Sequence, residues 1–180
     1  MIKITYQRTL ADFVNFNIYH VWKSPDRKYF RLLIHYGVPT IVTLLVLLAT
    51  LLAGIPVTFD NSKGMIVAFI ALVIIMYIAG GRLITSSIQK KIANNLTPAA
   101  INHLTGNAEI TLTPQEIRMI TPNNDLIKSW TQVLKLRITN GYYFIYIEPL
   151  QAIVIPWRAF KNDTEKEEFE RLLLEYLVKK

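Results

Sequence analysis

Two long uncharged runs dominate the pattern of apolar and polar positions. Residues 38–57 carry no charge, and twelve of these twenty residues are Val, Ile or Leu. A polar-leaning connection follows, Thr58-Phe59-Asp60-Asn61-Ser62-Lys63, and then eighteen further uncharged residues from Gly64 to Gly81. A hydrocarbon core of about 30 Å needs roughly 20 helical residues at about 1.5 Å rise each. Both runs are long enough. Their apolar residues go all the way round, without the one-sided stripe of a helix packed on a soluble core. On an insertion scale the aliphatic residues of the first run contribute about 4–7 kcal/mol, with no central charge opposing them. The pattern predicts a transmembrane hairpin over 32–81, with spans at about 36–57 and 64–81.

Ahead of the hairpin the period is different. Ile2, Ile4 and Tyr6 alternate with Lys3, Thr5 and Gln7, the signature of a half-buried strand. Thr9-Leu10-Ala11-Asp12 resembles a capping box with Asp in place of Glu, and predicts a helix from Leu10 to Lys23 that stops at Ser24-Pro25. Its apolar side is aromatic: Phe13, Phe16, Tyr19 and Trp22. Two placements compete for these rings, the headgroup region of a bilayer and the surface of a soluble domain. Lys23, Arg27, Lys28 and Arg31, with Arg82 beyond the second span, are the candidate lipid-headgroup contacts. The first apolar run is too long for the core of a signal peptide, so an uncleaved anchor is expected.

Beyond the hairpin a polar helix continues over 83–95, and Thr97-Pro98 opens a short helix ending at Gly106. The period then switches to two, predicting strands over 108–112, 117–121, 126–130, 133–139, 142–148 and 152–155. Asn140-Gly141 is the strongest hairpin signal. Tyr142–Glu148 is apolar on both faces, which predicts a central strand. Thr164 to Glu167 reads as a second capping box, opening a C-terminal helix whose stripe is Phe169, Leu172, Leu173, Tyr176 and Leu177. The chain thus divides into 1–31 (strand and aromatic helix, joining the later strands), 32–81 (hairpin), 82–106 (juxtamembrane helices) and 107–180 (β domain with its helix).

Charge adds direction. Of the net +7, residues 1–31 hold +4 (six basic against two acidic) and residues 82–106 hold +3 (three basic, none acidic). Residues 107–180 balance ten against ten. The excess flanks the hairpin, which predicts both termini in the cytoplasm, and the neutral C-terminal part argues against a nucleic-acid partner. There is no cysteine, and His20, His35 and His103 lie in separate segments without acidic partners at ligand spacing. With no catalytic motif present, the expectation is a non-enzymatic protein with no catalytic residue, metal or cofactor.

"ADFVNFNIYH" before the hairpin, with "ITLTPQEIRMIT", "KSWTQVLKL", "YYFIYI" and "IVIPWRAFKNDTEKEEFERLL" after it, resembles the YcxB-like family of bacterial membrane proteins. The resemblance implies an α+β membrane protein: a two-helix transmembrane hairpin and a small antiparallel, pleckstrin-homology-like (PH-like) β domain with a C-terminal helix. It also implies the bacterial inner membrane, and brings no catalytic residues. Trp130, Pro156, Trp157, Arg158 and Phe160 fall at predicted strand ends and form the candidate interaction surface. Closing the end of a small barrel is favoured for these rings over a lipid or peptide groove. The leading functional expectation is a PH-like domain displayed on the cytoplasmic face for protein interaction or signalling. Its partners are the lipid bilayer and a protein or second copy of the chain. One alternative is an immunity-type protein guarding against a membrane-targeting toxin. Another is anionic-lipid recognition through Lys128, Lys135 and Arg137.

Overall fold

The computed structural model describes residues 1–54, 59–139 and 141–179, with backbone alone at 59–62, 65 and 93. Residues 55–57 at the end of the first predicted span and the Asn140 half of the Asn140-Gly141 turn lie outside the described residues. The fold is α+β, as the periodicity predicts, with two small antiparallel sheets and two long apolar helices. It comprises two compact units, residues 1–17 with 95–180, and residues 18–94.

In the first unit β1 (Ile2–Arg8) pairs antiparallel with β2 (Gly106–Leu112), from Ile2 opposite Leu112 to Arg8 opposite Gly106. β3 (Glu116–Thr121) and β4 (Asn124–Ser129) complete a sheet of order β1-β2-β3-β4. The second sheet has order β5-β6-β7, from Lys135–Thr139, Tyr142–Glu148 and Gln151–Pro156. Alternation decides which face is inside: Ile2, Ile4, Tyr6, Ala108, Ile110 and Leu112 are buried in one core with Ile145 and Ile155.

Central β6 is buried on both faces, as its sequence predicts, and each face has its own cover. Tyr143 packs toward Phe169 of the C-terminal helix, at 5.9 Å between ring centroids. On the alternate positions Phe144 and Tyr146 meet Phe16, at 5.5 and 5.7 Å. Phe16 lies on helix α1 (Leu10–Ile18), which continues as one π-helical turn through Lys23. Of the two placements competing for the α1 rings, Phe16 takes the one against the strands.

The C-terminal helix, Asp163–Val178, buries Phe169, Leu172, Leu173 and Tyr176. Its cap corrects the sequence reading. Asn162, two residues before Thr164, accepts from the Glu165 amide at 2.8 Å, and the Glu165 carboxylate accepts from the Lys161 amide at 2.6 Å. Asn is as good an N-cap as Thr, and here the reciprocal acceptor falls in register with it. The strand ahead of Trp130 also ends earlier than predicted: β4 stops at Ser129, and Trp130–Gln132 form a 3-10 turn.

The second unit is helical. Pro25–Arg27 form a 3-10 turn, leading into α2 (Lys28–Leu32), a π-helical turn at Leu33–Gly37, and α3 (Val38–Leu52). The π turn precedes Pro39, which has no N–H to donate to the preceding turn, so the local hydrogen-bond ladder is re-spaced there. Helix α4 runs unbroken over Phe59–Asn95, so the predicted polar connection is corrected: residues 59–63 already belong to α4. Polar residues, acidic ones above all, suit a helix start. A short helix α5 (Pro98–Leu104) follows in the first unit, with Thr97 as the N-cap its sequence predicts; the C-terminal helix is α6. Two stretches, Pro25–Leu52 and Ile66–Ile92, are long and apolar enough to cross a membrane, and in each only 6% of an apolar 18-residue window is buried.

Candidate functional site

The five residues of the predicted interaction surface do not form one face. Trp130 is buried: its indole N–H donates to the Thr113 carbonyl at 2.9 Å, and its ring meets Tyr176 of α6 at 5.5 Å. Pro156 is buried at the end of β7. Phe160 packs between Tyr143 and Phe169, at 5.9 and 5.1 Å. Trp130 and Phe160 thus close the β domain against α6. Trp157 is exposed, with the Lys166 ammonium 4.3 Å from its ring centroid. The two tryptophans therefore predict opposite outcomes. Trp130→Ala is expected to cost the domain about 3–5 kcal/mol, and Trp157→Ala about 1 kcal/mol or less. Urea unfolding of the two variants measures the difference, and equal costs would contradict this division.

Arg158, the fifth, is anchored elsewhere. Its guanidinium grips Asp12 with two parallel bonds, Nη1 to Oδ1 at 2.8 Å and Nη2 to Oδ2 at 2.6 Å. Asp12, with its side chain 5% exposed, also accepts from the Thr9 amide at 2.8 Å, the Thr9 hydroxyl at 3.0 Å and the Tyr142 hydroxyl at 3.2 Å. The capping role read from Thr9-Leu10-Ala11-Asp12 holds for the bond that the Thr9 amide donates to the Asp12 carboxylate. Burial by itself raises a carboxyl's pKa; here the hydrogen bonds from Arg158 and Thr9 outweigh it and hold Asp12 below the usual range. About four lone-pair positions on a carboxylate meet five donors, so none remains for a substrate. The node is built to fasten α1 to the end of β7, and an ionised, saturated carboxylate is no general base. Tyr143, donating to Glu170 at 2.8 Å, is likewise held protonated, by burial first and by that carboxylate second.

Asp12 and Tyr142 are the residues that the sequence did not single out beside Arg158. Their signal was present as a local cap and a strand residue, without the partner. Among the basic candidates for lipid anion recognition on the β domain, Lys135 lies 4.8 Å from the Tyr146 ring centroid.

In the helical unit Lys23, Arg27, Lys28 and Arg82 are exposed. Arg31 is partly buried, its Nη1 donating to the carbonyls of Trp22 at 2.6 Å and Ser24 at 2.8 Å. That guanidinium ties Arg31 to the turn at residues 22–24. Trp22 meets Phe30 and His35 edge-on at 6.1 and 5.6 Å, and the His35 ring lies 3.1 Å from the Met76 carbonyl. Against Gly81 an added Cβ would come within 3.2 Å of the Trp22 indole nitrogen, so the absent side chain leaves room for that ring. Among the described residues no group of three or more His, Asp or Glu side chains gathers as a metal site.

Residues 112–173 match the family model described as YcxB-like protein. The match runs from the end of β2 to Leu173 of α6 and leaves Ala11–His20 outside it. No curated protein matches the chain, and no solved structure does.

Proposed function

With residues 112–173 YcxB-like as the premise, we propose a bacterial inner-membrane protein. A transmembrane hairpin anchors it, and a PH-like domain on the cytoplasmic face serves protein interaction or signalling without catalysis. The observation that carries this reading is the exposure of the two apolar helices. Leu44, Leu45, Leu48, Ile70, Ile74 and Ile78 are each more than half exposed, a surface that water does not tolerate and lipid does. The PH-like assignment draws support from a four-stranded and a three-stranded antiparallel sheet followed by one helix.

The hairpin is inserted between two paired strands, β1 and β2. Strands that share hydrogen bonds lie on one side of a bilayer, so the intervening chain crosses an even number of times. The flanking excess of +4 and +3 supports the cytoplasm as that side. The saturated Asp12 node and the buried Trp130 leave the exposed surface, Trp157 included, for contact with a partner.

Topology is the direct test. Gly64 has open space where a Cβ would go, and Glu167 is exposed on α6. In intact cells Gly64→Cys is expected to react with an impermeant maleimide. Glu167→Cys is expected to react only after permeabilisation. The reverse pattern rejects the orientation, and recovery of the protein in the carbonate-soluble fraction rejects the anchor.

A further inference from the structure

A cleft of about 440 Å³ opens in the β-domain unit, a size within the range of about 300–1,000 Å³ typical of small-molecule sites. Its apolar wall includes Phe13 and Phe16 of α1, Met119 of β3 and Val154 of β7, and Arg8 and His103 line it as well. Every residue lining it belongs to that unit, so the cleft is independent of the membrane reading.

Arg8 is the unusual member. Its guanidinium makes one hydrogen bond among the described residues, from Nη2 to the His103 carbonyl at 2.9 Å. The Nε atom is buried and has no acceptor among them. The nearby carboxylate, Asp12, is saturated by Arg158, Thr9 and Tyr142. Arg8, Arg158 and Asp12 together therefore leave one positive charge beside an apolar recess. Burial lowers the Arg8 pKa, the direction expected of a guanidinium that has lost water without gaining a carboxylate of its own. Buried guanidinium groups are normally paired, and a planar fork of donors suits a carboxylate or phosphate. A neutral ligand would leave this charge as it stands. A cation would oppose it.

We propose that this cleft binds a small amphipathic anion, its carboxylate or phosphate held by Arg8 and its aliphatic tail laid along Phe13, Phe16, Met119 and Val154. The two head groups share one chemistry, a compact oxyanion that accepts several hydrogen bonds at once. The tail accounts for the apolar wall, which a free inorganic anion would not use.

The test uses the full chain, purified in a non-ionic detergent, with octanoate and octyl phosphate as probes and empty micelles as the blank. Calorimetry is expected to show saturable binding of one or both anions above the blank; which of them binds more tightly identifies the head group. Octanol and octyltrimethylammonium are expected to show none. Arg8→Gln is expected to weaken binding about tenfold or more, the usual loss of a charge-assisted hydrogen bond. Val154→Trp, which fills the apolar wall and keeps Arg8, is expected to abolish it. Amide protection along β6 verifies that each variant remains folded. Should Arg8→Gln fail to fold, Val154→Trp decides the matter. Absence of saturable binding overturns the proposal. So does octanol binding as well as octanoate, or unchanged affinity in a folded Arg8→Gln or Val154→Trp.

Discussion

Leu173→Asp is expected to unfold the β domain, while Leu174→Asp at the next position leaves it intact. Leu173 is fully buried on α6, in the core that holds Tyr143, Ile145 and Phe169, and Leu174 is 44% exposed. At the first position the substitution removes a packed side chain, which costs about 2–5 kcal/mol. It also places an unpaired carboxyl in an apolar core, which adds several kcal/mol whether the group ionises or takes up a proton. Domains of this size have about 5–15 kcal/mol in total, so the sum exhausts most or all of the stability. At the second position the new carboxylate stays in water, and about 0.5 kcal/mol is the expected scale. Hydrogen exchange in the full chain reads the contrast directly. The β6 amides should lose protection in Leu173→Asp and keep it in Leu174→Asp. Equal protection in both would mean that α6 is not the cover of this core.

The strands were legible because their period is short and their alternation clean. Ile2, Ile4 and Tyr6 point inward for the same reason that Lys3 and Gln7 do not. The double-sided apolar run of β6 also announced a central position. What covers its second face was invisible, because Phe16 reaches Phe144 and Tyr146 from the far side of the 18–94 insertion. Local chemistry was ambiguous at the start of α6, where Asn162 and Thr164 each stand three residues ahead of a glutamate. Only the packing of the stripe and the Lys161 amide choose between them. The polar residues before the second apolar run are ambiguous in the same way, since residues that look like a turn also suit a helix start, and α4 begins at Phe59. At the candidate site the rings near strand ends were readable as a group. Their division into buried Trp130 and exposed Trp157 depends on how α6 lies, which no spacing encodes. Asp12 showed the sharpest limit. Its contact with Thr9 spans three residues and was visible, whereas its contact with Arg158 spans 146.

That long-range contact carries the other large effect. Arg158→Met is expected to destabilise the β domain by about 2–3 kcal/mol at neutral pH. This is somewhat below the 3–5 kcal/mol of a fully buried pair, because the Arg158 side chain is 48% exposed. The cost comes chiefly from stranding the Asp12 carboxylate, which is 5% exposed, with only the Thr9 and Tyr142 donors. In the native protein Asp12 titrates below its ordinary value, because hydrogen bonds from Arg158 and Thr9 overcome the opposing effect of burial. Stability from a depressed carboxyl is present above its unfolded pKa, about 3.9, and is lost as the pH falls through the lower folded value. In Arg158→Met burial acts against fewer opponents, so the Asp12 pKa rises and the variant gains stability relative to wild type on acidification. The difference between the two proteins should therefore shrink as the pH falls from about 6 to about 3. Urea unfolding followed by Trp130 fluorescence, with Trp22 and Trp157 replaced by Phe, measures it across that range. Asp12→Asn combined with Arg158→Met should cost less than the two singly added, since the second change removes what the first left unpaired. Additive costs, with a difference that does not move with pH, would show that the pair is an incidental surface contact and not the fastening of α1 to the β domain.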